Sequence, residues 1–321
     1  MSGEAAAKPA LLQVVRLPGG LEAQLAERFD VTLAPPRGPE REALLREQGA
    51  RFVGLVTSAG HGAEAALIEA LPRLRVISSF GVGLERLDLS VAARRGVAVG
   101  YTPDVLNDCV ADAAFGLVID TMRGLAAADR FVRRGDWRSG KTLPLASKVS
   151  GARIGLVGFG RIGQTIARRA SGFEMPVRYH ARRAVAGFEA QHEPSLLELA
   201  RWADVLVVIT AGGPATRHLV NAEVLRALGP EGFIVNAARG SVIDETALVA
   251  ALQEGGIAGA GLDVFENEPQ VPEVLFLLDN VVLLPHIASA TRETRGAMGQ
   301  RVFDNLAGFF DSGTLVSEAP A

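Results

Sequence analysis

R-I-G-L-V-G-F-G-R-I-G-Q-T-I-A-R-R-A, from Arg153 to Ala170, decides how the fold of this chain is read. Ile154 to Val157 form a short apolar run that suits a strand buried on both faces of a parallel sheet. Gly158-Phe159-Gly160-Arg161-Ile162-Gly163 follows at once and opens a helical pattern carrying Ile162, Ile166 and Ala167. The pattern is G-x-G-x-x-G set between a strand and a helix. There, one glycine makes the tight turn, the second lets backbone approach a pyrophosphate, and the third lets helix pack on strand. The pyrophosphate is expected on the amides of Phe159 to Ile162, at the positive end of the helix dipole.

A second strand, Pro176 to Tyr179, ends in His180-Ala181-Arg182-Arg183. A site selecting NAD usually places an acid near this point to hold the ribose 2′-OH. Here the strand end carries none, and the next acid along is Glu189. Arg182 and Arg183 stand there instead, and guanidiniums suit a bidentate grip on a 2′-phosphate. NADP(H) is therefore expected as the preferred coenzyme, with NAD(H) possible.

The totals bound the answer from outside. With 321 residues the chain can form two domains, each with its own core. No apolar run reaches 18 residues, and Met1 to Gln13 lacks the apolar core of a signal peptide, so no membrane partner is expected. Net charge is -3 with dispersed basic residues, which gives no footprint for nucleic acid. Cys109 is the only cysteine, so no internal disulfide and no cysteine-rich metal site can form. A cytoplasmic protein without a bound metal fits these facts.

Working outward, the first hundred residues alternate strands and helices without a second glycine fingerprint. Strands are expected at 11–15, 31–33, 52–56, 74–78 and 97–99, forming a parallel α/β layer of their own. Two loops follow strand ends here, Thr57-Ser58-Ala59-Gly60-His61-Gly62 and Ser79-Phe80-Gly81-Val82-Gly83-Leu84. Ligands of open α/β sheets bind outside such ends, and small residues let amides face an anion. His61 reads as a surface residue. Thr102-Pro103-Asp104 looks like an interdomain crossing, and 107–133 reads as one long helix. Trp137, on the loop after it, suits either a core or a partner subunit's surface. Further strands are expected at 205–209, 233–236, 260–264 and 281–284, with a last helix at 291–310. The loop from Thr210 to Thr216 lies over the expected coenzyme.

Three of these strand ends each deliver a functional group: Asn236-Ala237-Ala238-Arg239-Gly240, then Asp263-Val264-Phe265-Glu266-Asn267-Glu268-Pro269, then Leu284-Pro285-His286-Ile287-Ala288-Ser289. Imidazole, carboxylate and guanidinium together suffice to reduce a 2-keto acid. The histidine gives a proton to the carbonyl oxygen, and the carboxylate fixes and stabilises its ring. The arginine holds the substrate carboxylate and polarises the carbonyl. Taken singly, His286 fits a core histidine, Arg239 a salt bridge and Glu268 an exposed acid. Their joint position beside a dinucleotide fingerprint favours chemistry.

These segments resemble the D-isomer-specific 2-hydroxyacid dehydrogenase family, especially its glyoxylate/hydroxypyruvate reductase branch, over nearly the whole chain. The intervals of 29 positions from Arg239 to Glu268 and 18 from Glu268 to His286 look like family spacing. The resemblance implies catalytic Arg239, Glu268 and His286, with the Val82 and Gly83 amides, Arg239 and His286 receiving substrate. It implies coenzyme contacts at Gly158 to Gly163, Ala181 to Arg183, Thr210, Thr216, Ala237 to Arg239 and Asp263. It also implies two doubly wound parallel-sheet domains, the coenzyme domain (102–286) inserted into a substrate domain (1–101 with 287–321). A cleft between them and a homodimer through the inserted domain complete the picture. His180-Ala181-Arg182-Arg183 looks like the NADPH-preferring members. Two departures stand out: Leu84-Glu85-Arg86 where many members carry Asp after the Val-Gly pair, and Ala288 where many carry Gly. Both lie near substrate, so a sugar-derived 2-keto acid or phosphite stays open as the reactant. A dinucleotide-sensing corepressor is the non-enzymatic alternative.

Overall fold

A computed structural model describes residues 7–17 and 20–320. The chain divides into two compact units, the first built from the segments up to Leu106 and from Ala290 onward, the second from Asn107–Ser289. One unit is thus inserted into the other.

The first unit is an all-parallel sheet of β1 (Ala10–Gln13), β2 (Asp30–Leu33), β3 (Gly54–Ser58), β4 (Val76–Phe80) and β5 (Ala98–Gly100), in the order β2-β1-β3-β4-β5. Its register is set by pairs such as Leu12 with Leu55 and Ile77 with Val99. The last helix, Arg292–Ser312, belongs to this unit: the Val302 carbonyl accepts from Ser78 Oγ at 3.2 Å, and Phe303 and Phe310 pack on Phe29. Return of the chain to its first sheet is what makes the other unit an insertion.

The second unit holds a seven-stranded parallel sheet. Its strands are β6 (Ile154–Val157), β7 (Val177–His180), β8 (Gln191–His192), β9 (Val205–Val208), β10 (Phe233–Asn236), β11 (Gly259–Leu262) and β12 (Val281–Leu283), ordered β12-β11-β10-β9-β6-β7-β8. Strand side chains alternate between faces, and both faces are buried. Val205 and Val207 join a core with Ile154, Leu156 and Val235, while Leu206 and Val208 join one with Val157, Ile234 and Leu262. Each such fully buried side chain stabilises the fold by about 1.5–3 kcal/mol relative to exposure.

Two details differ from the sequence reading, and a third narrows it. The long helix is broken: Asn107–Arg123 and Leu125–Arg133 meet at Gly124, whose φ of 61° ends the first helix, while Asp120 Oδ1 accepts the Ala126 amide at 2.8 Å. The crossings between units fall after Leu106 and Ser289 rather than after 101 and 286. The reason is local bonding. Thr102 exchanges hydrogen bonds of 3.0 Å with Gly81, its amide to the Gly81 carbonyl and its hydroxyl from the Gly81 amide, tying it to the first sheet. The Ile287 and Ala288 amides are held by Asp263, tying them to the second. Trp137 is 72% exposed, so it serves no core of this chain. Among the described residues no helix is long and apolar enough to cross a membrane, and no group of three or more His, Cys, Asp or Glu is placed to hold a metal.

Candidate active site

The glycine loop between β6 and the helix Arg161–Ser171 shows why each glycine is needed. Gly158 has a φ of 106°, and a Cβ on it would lie 2.7 Å from the Thr210 nitrogen. A Cβ on Gly163 would lie 2.6 Å from the Gly158 carbonyl oxygen, so the helix could not close on the strand. Gly160 is different: nothing lies within 4 Å of its added Cβ, which leaves the loop open to an approaching pyrophosphate. The helix begins at Arg161 without a side-chain cap. Its first amides and positive dipole end therefore fit a dinucleotide phosphate. Phe159 contributes only backbone, because its ring is buried and stacked on Tyr179 at 3.8 Å between centroids.

At the end of β7, His180 Nδ1 lies 3.1 Å from the Glu193 carbonyl oxygen, and the Ala181 carbonyl oxygen lies 2.9 Å from His192 Nε2. These bonds fix the backbone from which Arg182 and Arg183 project. Both guanidiniums are exposed and, among the described residues, without hydrogen-bond or ion-pair partners. They remain available to an anion. Thr210 abuts Gly158, and Thr216 Oγ1 donates to the Ala211 carbonyl at 2.8 Å, so the 210–216 loop closes on itself beside the glycines.

The ends of β10, β11 and β12 converge. His286 Nδ1 and Glu268 Oε2 are 2.8 Å apart. The other Glu268 oxygen accepts the Phe265 amide at 3.1 Å, which aims the carboxylate at the ring. Burial pushes the Glu268 carboxyl up, but the His286 hydrogen bond and charge, the Phe265 amide and the Arg239 charge outweigh it, leaving it below the usual glutamate range. The Arg239 field therefore reaches the pair. With Nδ1 engaged, Nε2 of His286 is the nitrogen left to meet a substrate.

His286 has a φ of 54°, a left-handed conformation that costs a non-glycine residue about 1–2 kcal/mol. Asp263, 1% exposed, holds it there: its carbonyl accepts the His286 amide at 2.8 Å, and its carboxylate accepts the Ile287 and Ala288 amides at 2.7 and 2.9 Å. Burial raises the Asp263 carboxyl from its ordinary value, and the two amides only partly offset that. Arg239 is fixed from both sides. Asn236 Nδ2 donates to the Arg239 carbonyl at 3.0 Å and Asn236 Oδ1 accepts the Ala238 amide at 3.1 Å. A Cβ on Gly240 would fall 1.9 Å from the Phe265 carbonyl carbon, so only glycine lets the arginine turn touch the Glu268 turn.

Two features escaped the sequence reading. Asn236 is a positioning side chain, signalled only by its polarity at the end of an otherwise apolar strand. Glu266 is the other: its Oε1 accepts from Arg217 Nη2 at 2.7 Å and lies 3.0 Å from His218 Nε2, while its amide donates to Glu245 at 3.1 Å. That network joins the turn after residue 216 to the Glu268 turn, and spacing along the chain carries no trace of it.

The first unit presents Val82 and Gly83 just beyond β4. Gly81 has a φ of 136°, and an added Cβ would lie 2.6 Å from Ala59 Cβ. The Gly81 bonds to Thr102 hold the turn, and among the described residues the Val82 and Gly83 amides have no partner. Unpaired amides in succession suit a carboxylate.

Residues 115–288 match the family model for the D-isomer specific 2-hydroxyacid dehydrogenase NAD binding domain. Hydroxyphenylpyruvate reductase of Plectranthus scutellarioides is 45% identical, the match covering 92% of this chain and 94% of that protein. 2-Ketogluconate reductase of Gluconobacter oxydans is 42% identical over 97% of this chain and 98% of its own. Among solved structures, an NADPH-dependent glyoxylate/hydroxypyruvate reductase from Sinorhizobium meliloti, in complex with NADP and malonate, superposes with a TM-score of 0.92 at 41% identity, covering 98% of this chain and 97% of that one.

Proposed function

This chain belongs to the D-isomer-specific 2-hydroxyacid dehydrogenases, NAD(P)-dependent oxidoreductases, and from that premise we propose that it reduces small 2-keto acids with NADPH, glyoxylate and hydroxypyruvate foremost. The observation that carries the reading is the 2.8 Å pair of Glu268 and His286, placed in the same unit as the glycine loop and within the field of Arg239. When bound, the nicotinamide coenzyme supplies the hydride. Arg239 binds the keto-acid carboxylate and draws charge onto the carbonyl oxygen. The Val82 and Gly83 amides take the same carboxylate, in the role that their unpaired state supports. His286 gives its Nε2 proton to the carbonyl oxygen, forming the D-2-hydroxy acid, and Glu268 holds the ring through Nδ1 and stabilises its charged form. In the oxidation direction the neutral ring takes the proton back.

The coenzyme is held by the amides of Phe159 to Ile162, with Arg182 and Arg183 gripping a 2′-phosphate. Thr210, Thr216, Ala237, Ala238 and Asp263 border it in this reading. The protein is a cytoplasmic homodimer through the inserted unit, a reading supported by the exposed apolar side chains of Leu125, Val132, Trp137 and Leu143 along one stretch of that unit. Steady-state rates with glyoxylate, hydroxypyruvate, 2-ketogluconate and hydroxyphenylpyruvate, each with NADPH and NADH, test the proposal. Highest kcat/KM is expected for the two small acids with NADPH. A preference for the sugar or aromatic acid would reassign the substrate, and turnover indistinguishable from buffer with all four would remove the enzyme reading.

A further inference from the structure

At the carboxyl ends of β1, β2 and β3 the first unit contains a cavity of about 790 Å³ that the proposed reaction does not use. Four arginines line it, Arg16, Arg37, Arg41 and Arg86, together with His61, against one lining carboxylate, Glu64. The strand order reverses between β1 and β3, and open α/β sheets take ligands in the crevice at such a reversal.

The partners of the four guanidiniums decide its charge. Arg37 pairs with Glu64 at 2.8 Å and Arg16 with Glu22 at 3.1 Å. Arg41 instead donates to the carbonyls of Pro35 and Val14, at 2.7 and 3.3 Å. Arg86 donates to the Gly60 carbonyl at 2.8 Å. Carbonyls fix the direction of a guanidinium without cancelling its charge, and among the described residues neither Arg41 nor Arg86 reaches a carboxylate. The cavity thus keeps two aimed, uncompensated positive charges. We propose that it binds a compact dianion, a phosphate monoester or a small dicarboxylate, with Arg41 and Arg86 as its two cationic partners. A 2-keto acid, with one charge, matches it less well.

A local reporter is built in. The His61 ring falls below its usual value, first through burial and then through the charges of Arg41, Arg37 and Arg86. A bound dianion opposes those charges and should restore the affinity of the ring for a proton. The full-length chain is titrated with inorganic phosphate or succinate at constant ionic strength and pH 7.5, following the His61 ring resonances by NMR, assigned from His61→Gln. Saturable movement of these signals is expected with at least one dianion and not with acetate, and their pH titration should move upward when it is bound. Arg86→Gln and Arg41→Gln should each weaken binding about tenfold, the effect of about 1.4 kcal/mol. Phosphate alone, succinate alone or both saturating upholds the site and names its ligand class. Linear drift with every anion, equal response to acetate, or unchanged binding in a folded Arg86→Gln variant overturns it.

Discussion

Both sheets of this protein are all-parallel, yet their strand ends are used in opposite ways. In the seven-stranded unit β10, β11 and β12 lead into turns that carry a guanidinium, a carboxylate and an imidazole, the first two held by bonds within their own turns and the third by the Asp263 carbonyl of the neighbouring one. In the five-stranded unit the end of β4 carries Gly81, Val82 and Gly83 and offers unpaired amides. Moving a proton needs a group that titrates, whereas seating a carboxylate needs only fixed N–H dipoles. Changes in the first unit's turn should therefore act on substrate affinity, and loss of the titrating group in the second unit on turnover.

His286→Gln should show the largest effect. Loss of a positioned proton donor typically costs 10²–10⁴-fold, so kcat for glyoxylate reduction should fall by about that factor while coenzyme binding, read by fluorescence, stays within about twofold. Arg239→Met comes next, with kcat/KM down about 10²-fold or more, since it removes charge stabilisation from the developing alkoxide. At the end of β7, His180→Asp combined with Arg182→Ala and Arg183→Ala should move the NADPH/NADH ratio of kcat/KM about tenfold or more toward NADH, and an unchanged ratio would sink the 2′-phosphate assignment. In the other unit, Gly81→Ala should raise the KM for the keto acid about tenfold with kcat nearly kept, the loss of one hydrogen bond to a charged group. Equal loss in kcat would erase the proposed division between the two units.

The smallest effect concerns acid stability. Glu268 ionises more readily in the fold than a free glutamate, whose value is about 4.3. Its contribution is therefore fully present above that range and disappears as pH falls through the lower folded value. Asp263, raised by burial, acts in the opposite sense and weakens the fold when ionised. Glu268→Gln should flatten the acid limb of the stability curve, measured by urea unfolding between pH 3 and 6 (a range bracketing the ordinary glutamate value). An unchanged limb would mean that the pair with His286 contributes nothing to folding.

Much of this was legible along the chain. Apolar runs such as Val205 to Val208, short and rich in valine, suit strands buried on both faces, and the glycines at 158, 160 and 163 announce a turn, with close approaches at Gly158 and Gly163. The three catalytic candidates were visible because each follows such a run. What stayed hidden depends on contacts across the fold. The break at Gly124 lies inside an uninterrupted apolar stripe, so periodicity passes over it. β8 is two residues long and pairs only with β7, too short for any alternation to register. The Asp263 grip on Ile287 and Ala288 spans more than 20 positions and ties both residues to the second unit. The uncompensated charges of Arg41 and Arg86 likewise appear only when their carbonyl partners are known.

The most direct test of the catalytic account is a crystal structure of the protein with NADP and oxamate, an unreactive keto-acid mimic. The account predicts one oxamate molecule whose carboxylate meets Arg239, with its carbonyl oxygen within hydrogen-bond distance of His286 Nε2. Oxamate bound away from His286, or His286 turned from Glu268 in that complex, would contradict it.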